Sequence, residues 1–250
     1  MSDLLSIRGI SRSFGGVRAV ENVSLAANEA EVLGIIGPNG AGKTTLFNIL
    51  SGTVRPDTGT IVFDGRQIAG MPSYRVAALG VARTFQHVRL FSSLSVVENL
   101  TAVSGWRGLS PLTLLRSSRS ATLLADALSL LDVVGLRDEA DRPVTQLPYG
   151  HRRRLEIARA LALRPRLLLL DEPCAGLGHG EAAEIVAVVR QLRAQGLGVL
   201  LIEHNMSVVM GVADRIVVLD HGEVIAEGAP AAVAVDPRVV EAYLGAGAVA

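Results

Sequence analysis

Cysteine is almost absent from this chain of 250 residues: Cys174 stands alone, which excludes an internal disulfide and any zinc centre built from several thiolates. A single thiol fits a reducing compartment and the role of a small buried residue. Charge of one sign is missing too. The 24 acidic and 24 basic residues cancel, so no overall field recommends nucleic acid or an anionic membrane surface as a partner, and binding must come from local sites. No apolar run approaches the roughly 18 residues of a membrane span, and the start "MSDLLSIRGI" lacks the basic-then-apolar order of a secretory leader. The chain is therefore expected in the cytoplasm, with any membrane contact made through a partner and none by insertion. Lysine is nearly missing as well: Lys43 is the only one among the 24 basic residues.

What is present is enough for a sizeable core, since 49% of the residues are hydrophobic. Short β-rich runs fill the first 65 residues: "LLSIRGI", "VLGIIG" and "TIVFDG", the last ending in an Asp-Gly hairpin signal. From about Ser95 to Leu136, "VVENLTAV" and "ATLLADALSLLDVVGL" carry apolar residues at three- and four-residue spacings, predicting helices on both sides of a stretch from Gly105 to Ser120. "LEIARALAL" predicts another helix, stopped by Arg164-Pro165. Beyond it, "RLLLLDEP", "GLGVLLIEH" and "DRIVVLD" read as strands separated by helical segments such as Gly180 to Gln195. Strands apolar throughout, alternating with helices, predict a mostly parallel sheet covered on both faces.

The lone lysine sits in "GPNGAGKTT", between the strand-like "VLGII" and the helical "KTTLFNILSG". This is the context that the phosphate-loop pattern G-x-x-x-x-G-K-[ST] requires. Gly37, Gly40 and Gly42 permit backbone angles that aim successive N–H groups inward, forming an anion nest at a helix N-terminus. Lys43 is expected to reach the β- and γ-phosphates of a nucleotide and the Thr44 hydroxyl to hold Mg²⁺. An ammonium on a thin stem fits where a planar guanidinium fork does not, which explains a lysine at this one place. In "RLLLLDEP" a buried strand delivers two acids at its C-terminal end, where open α/β sheets bind ligands. Alternation along the strand assigns Asp171 to Mg²⁺ through its water shell and Glu172 to an attacking water. His204 ends the next apolar strand and is expected at the same edge of the sheet, within reach of the γ-phosphate.

Together these residues resemble the ATP-binding cassette (ABC) ATPases over nearly the whole chain. The resemblance implies an α/β, P-loop NTPase fold of ABC type: a mostly parallel core sheet flanked by helices, an N-terminal antiparallel β subdomain and a small helical subdomain. It implies one domain over residues 1–245, with 1–94 and 155–245 as core and about 95–154 helical, and a frayed tail at 246–250. Gly37, Pro38, Asn39, Gly40, Ala41, Gly42, Lys43, Thr44 and Thr45 would bind ATP, with Phe14 stacking on adenine. Gln86, in "RTFQHVRLF", would join Thr44 and Asp171 around Mg²⁺, and Glu172, His204 and Lys43 would be catalytic. The partners implied are a second ABC ATPase subunit, as homodimer or heterodimer, and membrane permease subunits on the inner face of the plasma membrane.

The signature segment departs from the family pattern. Most members read Leu-Ser-Gly-Gly-Gln where this chain has Leu147, Pro148, Tyr149, Gly150 and His151, so the serine hydroxyl and one N–H usually offered to ATP on the partner subunit are absent. Arg152, Arg153 and Arg154 then crowd the first turn of a helix whose dipole prefers the opposite sign, consistent either with an anion site or with a solvated basic surface. Gly178 stands where an Asp or Asn is usual, and Ala30 where a turn glycine is common. The "L-x-YG" signature, the Q-loop, "AGL", "LLIEHNMSVVMGVADRIVVLDHGEVIAEG" and "DPRVVEAYLG" resemble the ATPases of bacterial branched-chain amino acid importers. Sister systems for urea, short amides or lipopolysaccharide share much of this pattern. A soluble ABC protein of DNA repair or ribosomes, or a P-loop binding module without hydrolysis, remains as an alternative class.

Overall fold

A computed structural model describes residues 3–86, 88–104 and 117–247. β1 (Leu5–Phe14) and β2 (Val17–Ala27) form an antiparallel hairpin whose register shifts at Ile7/Ile10, Ile10/Arg12 and Arg12/Ser13. β3 (Val32–Ile36) is buried at every residue and leads through the glycine loop into α1 (Lys43–Leu50). β4 (Thr58–Phe63) turns at Asp64-Gly65 into β5 (Arg66–Gln67), as the Asp-Gly signal predicts. α2 (Ser73–Leu79) and the short β6 (Val81–Arg83) follow.

Three helices then pack on one another: α3 (Val96–Ser104), α4 (Ser117–Val133) and α5 (Tyr149–Leu161). Leu100, Ala127, Leu131, Val134 and Leu155 form their shared interior, which is what the three- and four-residue spacing predicts. Residues 105–116 of the expected interruption lie outside the described residues, and Ser117 to Ser120 belong to α4. α5 passes unbroken through residue 154 and reaches β6. It also ends earlier than Arg164-Pro165 suggests: Ala162 is its C-cap, and Arg164 reverses the chain at φ 47°.

The remaining elements alternate: β7 (Leu167–Asp171), α6 (His179–Ala194), β8 (Gly198–Ile202), α7 (Met206–Val212), β9 (Arg215–Asp220), β10 (Glu223–Gly228), α8 (Pro230–Val233) and α9 (Pro237–Gly247). Six strands make one sheet in the order β10-β9-β3-β8-β7-β6, parallel except for the β9–β10 edge pair. β2, β1, β4 and β5 make a second, antiparallel sheet. Alternation along β7 explains its unbroken leucines: Leu168 and Leu170 join the core under α5 and α6, while Leu167 and Leu169 join the core that holds α1 and the antiparallel sheet. Because β3, β8, β7 and β6 are adjacent and parallel, their C-terminal ends release the chain along one edge, where such sheets bind ligands.

Candidate nucleotide site

The loop from Gly37 to Gly42 is held in a conformation that side chains would obstruct. A Cβ on Gly37, at φ 148°, would lie 2.0 Å from the Leu219 carbonyl oxygen, and one on Gly42, at φ 97°, would lie 2.2 Å from that of Ala19. No side chain caps α1 at Gly42, and its first turn holds no acid, so the N–H groups of that turn remain for an anionic ligand. Lys43 curls back over the loop. Its ammonium donates to the carbonyls of Gly37 at 2.7 Å and Pro38 at 2.8 Å, with the residue 5% exposed. Burial lowers the Lys43 pKa, and the carboxylates of Glu172 and Asp171 oppose that shift. Ala41 is buried, Pro38 and Thr45 are half-buried, and Asn39, Gly40 and Thr44 are exposed.

Asp171 and Glu172 diverge as expected, although the cause is not strand alternation, because β7 ends at Asp171 and Glu172 lies beyond it. Asp171, 2% exposed, accepts a 2.8 Å bond from Arg83 through Oδ2, and its N–H donates to the Thr84 hydroxyl. Arg83 spends its other terminal nitrogen, Nη1, on Asn48 and Ser51 and so braces the acid against α1. Glu172 turns the other way at φ 49°, a left-handed backbone uncommon outside glycine. Gln86 Nε2 donates to its Oε2 at 3.2 Å, and His204 Nε2 lies 2.7 Å from its Oε1. An ionised carboxylate only accepts, so Nε2–H of His204 is the donor.

His204 does not end β8, contrary to expectation. The strand stops at Ile202 because Glu203 turns inward, accepting the Cys174 N–H at 2.7 Å, and this leaves His204 exposed one residue further on. The oxygen donors offered by Thr44, Asp171 and Gln86 are hard ligands of the kind Mg²⁺ takes, and Mg²⁺ needs no cage of three carboxylates or imidazoles. No such cage occurs among the described residues.

The segment Leu147–His151 makes no hydrogen bond to the glycine loop among the described residues. Leu147 is buried, Pro148 is the N-cap of α5, Tyr149 is exposed, and His151 lies 3.9 Å from Glu139. Gly150 lets the Glu181 side chain lie close, since a Cβ there would meet its Oε1 at 2.3 Å and displace it. The three arginines fit neither reading offered by the sequence. Arg152 donates to the carbonyls of Leu147 and Thr145, Arg153 to those of Phe85 and Gln86, and Arg154 to that of Val134. Their hydrogen bonds go mostly to backbone oxygens, with Arg153 and Arg154 buried and also paired with Glu156 at 3.7 Å and Glu184 at 3.2 Å, respectively. Glu156 completes the fixture by accepting the Phe85 N–H, and Arg159 donates to the Arg89 carbonyl, so α5 holds the loop that carries Gln86. Periodicity does not reveal Arg83, Arg153, Glu156 or Glu203. The one signal available was a charge interrupting an apolar stretch, as in "LEIARAL" and "LLIEH".

The departures at Gly178 and Ala30 have local explanations. Gly178 is the N-cap of α6 in extended backbone, and its N–H donates to Glu181. Ala30 adopts φ 54°, the conformation a glycine would take more readily. Phe14, at the tip of the first hairpin, is 45% exposed, with the Arg12 guanidinium 4.7 Å from its ring centroid.

The family model described as ABC transporter matches residues 20–175, and one described as Branched-chain amino acid ATP-binding cassette transporter matches residues 223–249. The high-affinity branched-chain amino acid transport ATP-binding protein LivG of Salmonella typhimurium is 43% identical over 250 residues, covering 97% of this chain and 98% of that protein. The ADP conformation of an ATP-binding cassette of an ABC transporter has a TM-score of 0.87 and 33% identity, covering 98% of this chain and 100% of that chain. A dimeric cassette in a post-hydrolysis state, bound to ADP and Pi, has a TM-score of 0.78 and 25% identity over 90% of this chain and 98% of that chain.

Proposed function

Since this chain belongs to the family of ABC transporter ATP-binding subunits, we propose that it binds ATP in its glycine loop and hydrolyses it to energise a permease for branched-chain amino acid uptake. The observation that carries the reading is the convergence at one sheet edge: Lys43 after β3, Asp171 at the end of β7 and Glu172 just past it, His204 after β8 and Gln86 after β6. Cargo class rests on the similarity to LivG and on the C-terminal match at residues 223–249.

The phosphates lie on the first-turn N–H groups of α1, and the Lys43 ammonium leaves the two loop carbonyls for phosphate oxygens, a stronger charge-assisted bond. Thr44, Gln86 and Asp171 would hold Mg²⁺, which would supply neutralisation of phosphate charge. Arg83 fixes the Asp171 carboxylate before the nucleotide arrives, so that group reorganises little. Glu172 holds the attacking water and accepts its proton, while His204 and Gln86 orient the carboxylate from both sides. Glu172 exchanges one of those two bonds for the water.

A second copy, or a different ABC ATPase subunit, is proposed to close over the nucleotide, bringing its own Leu147–His151 segment. Pro148 has neither hydroxyl nor N–H to offer there, so Gly150 and the start of α5 provide the contact. No helix among the described residues is long and apolar enough to cross a membrane, so the proposed place is the cytoplasmic face, docked on the permease.

Phe14 is proposed to stack on adenine with the ring face that Arg12 leaves open. Phe14→Ala is expected to weaken ATP binding about fivefold, the loss of roughly 1 kcal/mol of aromatic stacking, with kcat unchanged at saturating ATP. Titration calorimetry checks it, and equal affinity removes Phe14 from the site. The whole reading is tested by isolating the subunits that co-purify from membranes, reconstituting them with their external binding protein in vesicles, and measuring uptake of labelled leucine with phosphate release. Leucine uptake dependent on ATP is expected. Uptake of urea or an amide instead reassigns the cargo, and recovery with polysomes and no permease overturns the transport reading.

A further inference from the structure

Behind the Glu172–His204 contact lies a carboxylate that the proposed chemistry leaves unused. Glu203 is 3% exposed. Its Oε1 accepts the Cys174 N–H at 2.7 Å and its Oε2 faces the His204 N–H at 3.3 Å, while the Cys174 side chain and the Asn205 N–H lie near enough to favour its charged form. Among the described residues no lysine or arginine makes an ion pair with it, so burial raises its pKa above the usual carboxylate range while the backbone donors oppose that rise. A buried acid without a cation is costly unless dipoles converge on it. Here the converging donors belong to two loops: Cys174 lies just past Glu172 in the loop after β7, and His204 and Asn205 lie in the loop after β8.

We infer that Glu203 is a positioning residue, tying the loop that carries Glu172 to the loop that carries His204 so that the two meet at 2.7 Å. The link is reinforced by the Glu172 N–H, which donates to the Ile202 carbonyl at 2.9 Å. This inference rests on Glu172 and His204 being the hydrolytic pair. Cys174 is part of the tie, and as the only cysteine of the chain it supplies the means of observing it.

Two measurements on the full-length chain test the tie. In the parent protein the infrared S–H stretching band belongs to one atom, and a thiol donating to the Glu203 carboxylate absorbs at lower frequency than an unbonded one; a lowered band is expected, and an unshifted band overturns the tie. Glu203→Gln keeps the side-chain shape but turns an NH₂ toward backbone N–H groups, which repels one loop. Expected are ATP affinity and KM within about twofold of the parent, kcat lower by about 10-fold because the reacting groups drift apart, and a Cys174 thiol that reacts faster with a disulfide reagent. In the parent that thiol is pushed up to about pKa 12 by burial and by Glu203. If kcat holds while thiol reactivity rises, Glu203 only packs and the inference fails; equal losses in affinity and kcat also refute it. A parent chain that binds ATP yet never hydrolyses it with its permease refutes the proposed function instead, and the infrared band remains a separate result.

Discussion

Glu172→Gln is expected to bind ATP as tightly as the parent chain and to hydrolyse it at least about 10²-fold more slowly. The amide keeps the size of the carboxylate, so the glycine loop and Asp171 keep their places, and Lys43 loses only the support of the Glu172 charge, which bound phosphate replaces. What it loses is the capacity to accept a proton from water. It also disturbs the bracket, since Gln86 Nε2 and His204 Nε2 address separate oxygens of Glu172 at 3.2 Å and 2.7 Å, and an amide keeps one accepting oxygen while its NH₂ turns a donor toward the other nitrogen. Phosphate release under saturating ATP, with calorimetric affinity measured in parallel, separates the two effects. Near-normal turnover removes Glu172 from the role of general base.

Lys43→Ala is expected to fail earlier, at binding. The ammonium is satisfied by two loop carbonyls, so its transfer to phosphate trades neutral acceptors for charged ones. Each hydrogen bond to a charged group contributes about 1.5–3 kcal/mol, and losing two, less the bonds given up, weakens ATP binding on the order of 10²-fold. The lowered pKa of Lys43 does not reverse this, because phosphate favours the charged ammonium. Unchanged affinity by calorimetry contradicts the assignment of the loop.

The glycine loop was legible because its function is a backbone shape, and the residues that permit the shape are written in order. The acids at the end of β7 were legible for a similar reason: "RLLLLDEP" encodes both the buried strand and its exit. β6 was not, because three residues become a strand only by pairing with β7. β2 escaped notice because the shifts in its register against β1 blur its alternation. β10, α8 and α9 pack as a small cluster with Val218, Val233 and Val239, and helices of four and eleven residues carry little period to read. The arginines of α5 and the acid of Glu203 were beyond reach for a deeper reason. Most of their partners are main-chain groups, several of them on distant segments, and a main-chain group has no sequence identity at all.

The left-handed backbone at Glu172 has a consequence for how this protein can be improved. A residue with a β-carbon gives up about 1 kcal/mol or more to sit there, and glycine would sit there freely. A library sorted only for survival of heating should therefore enrich Glu172→Gly, and every such winner would be a sturdier protein unable to drive a pump. Durability and work compete for the same dihedral angle.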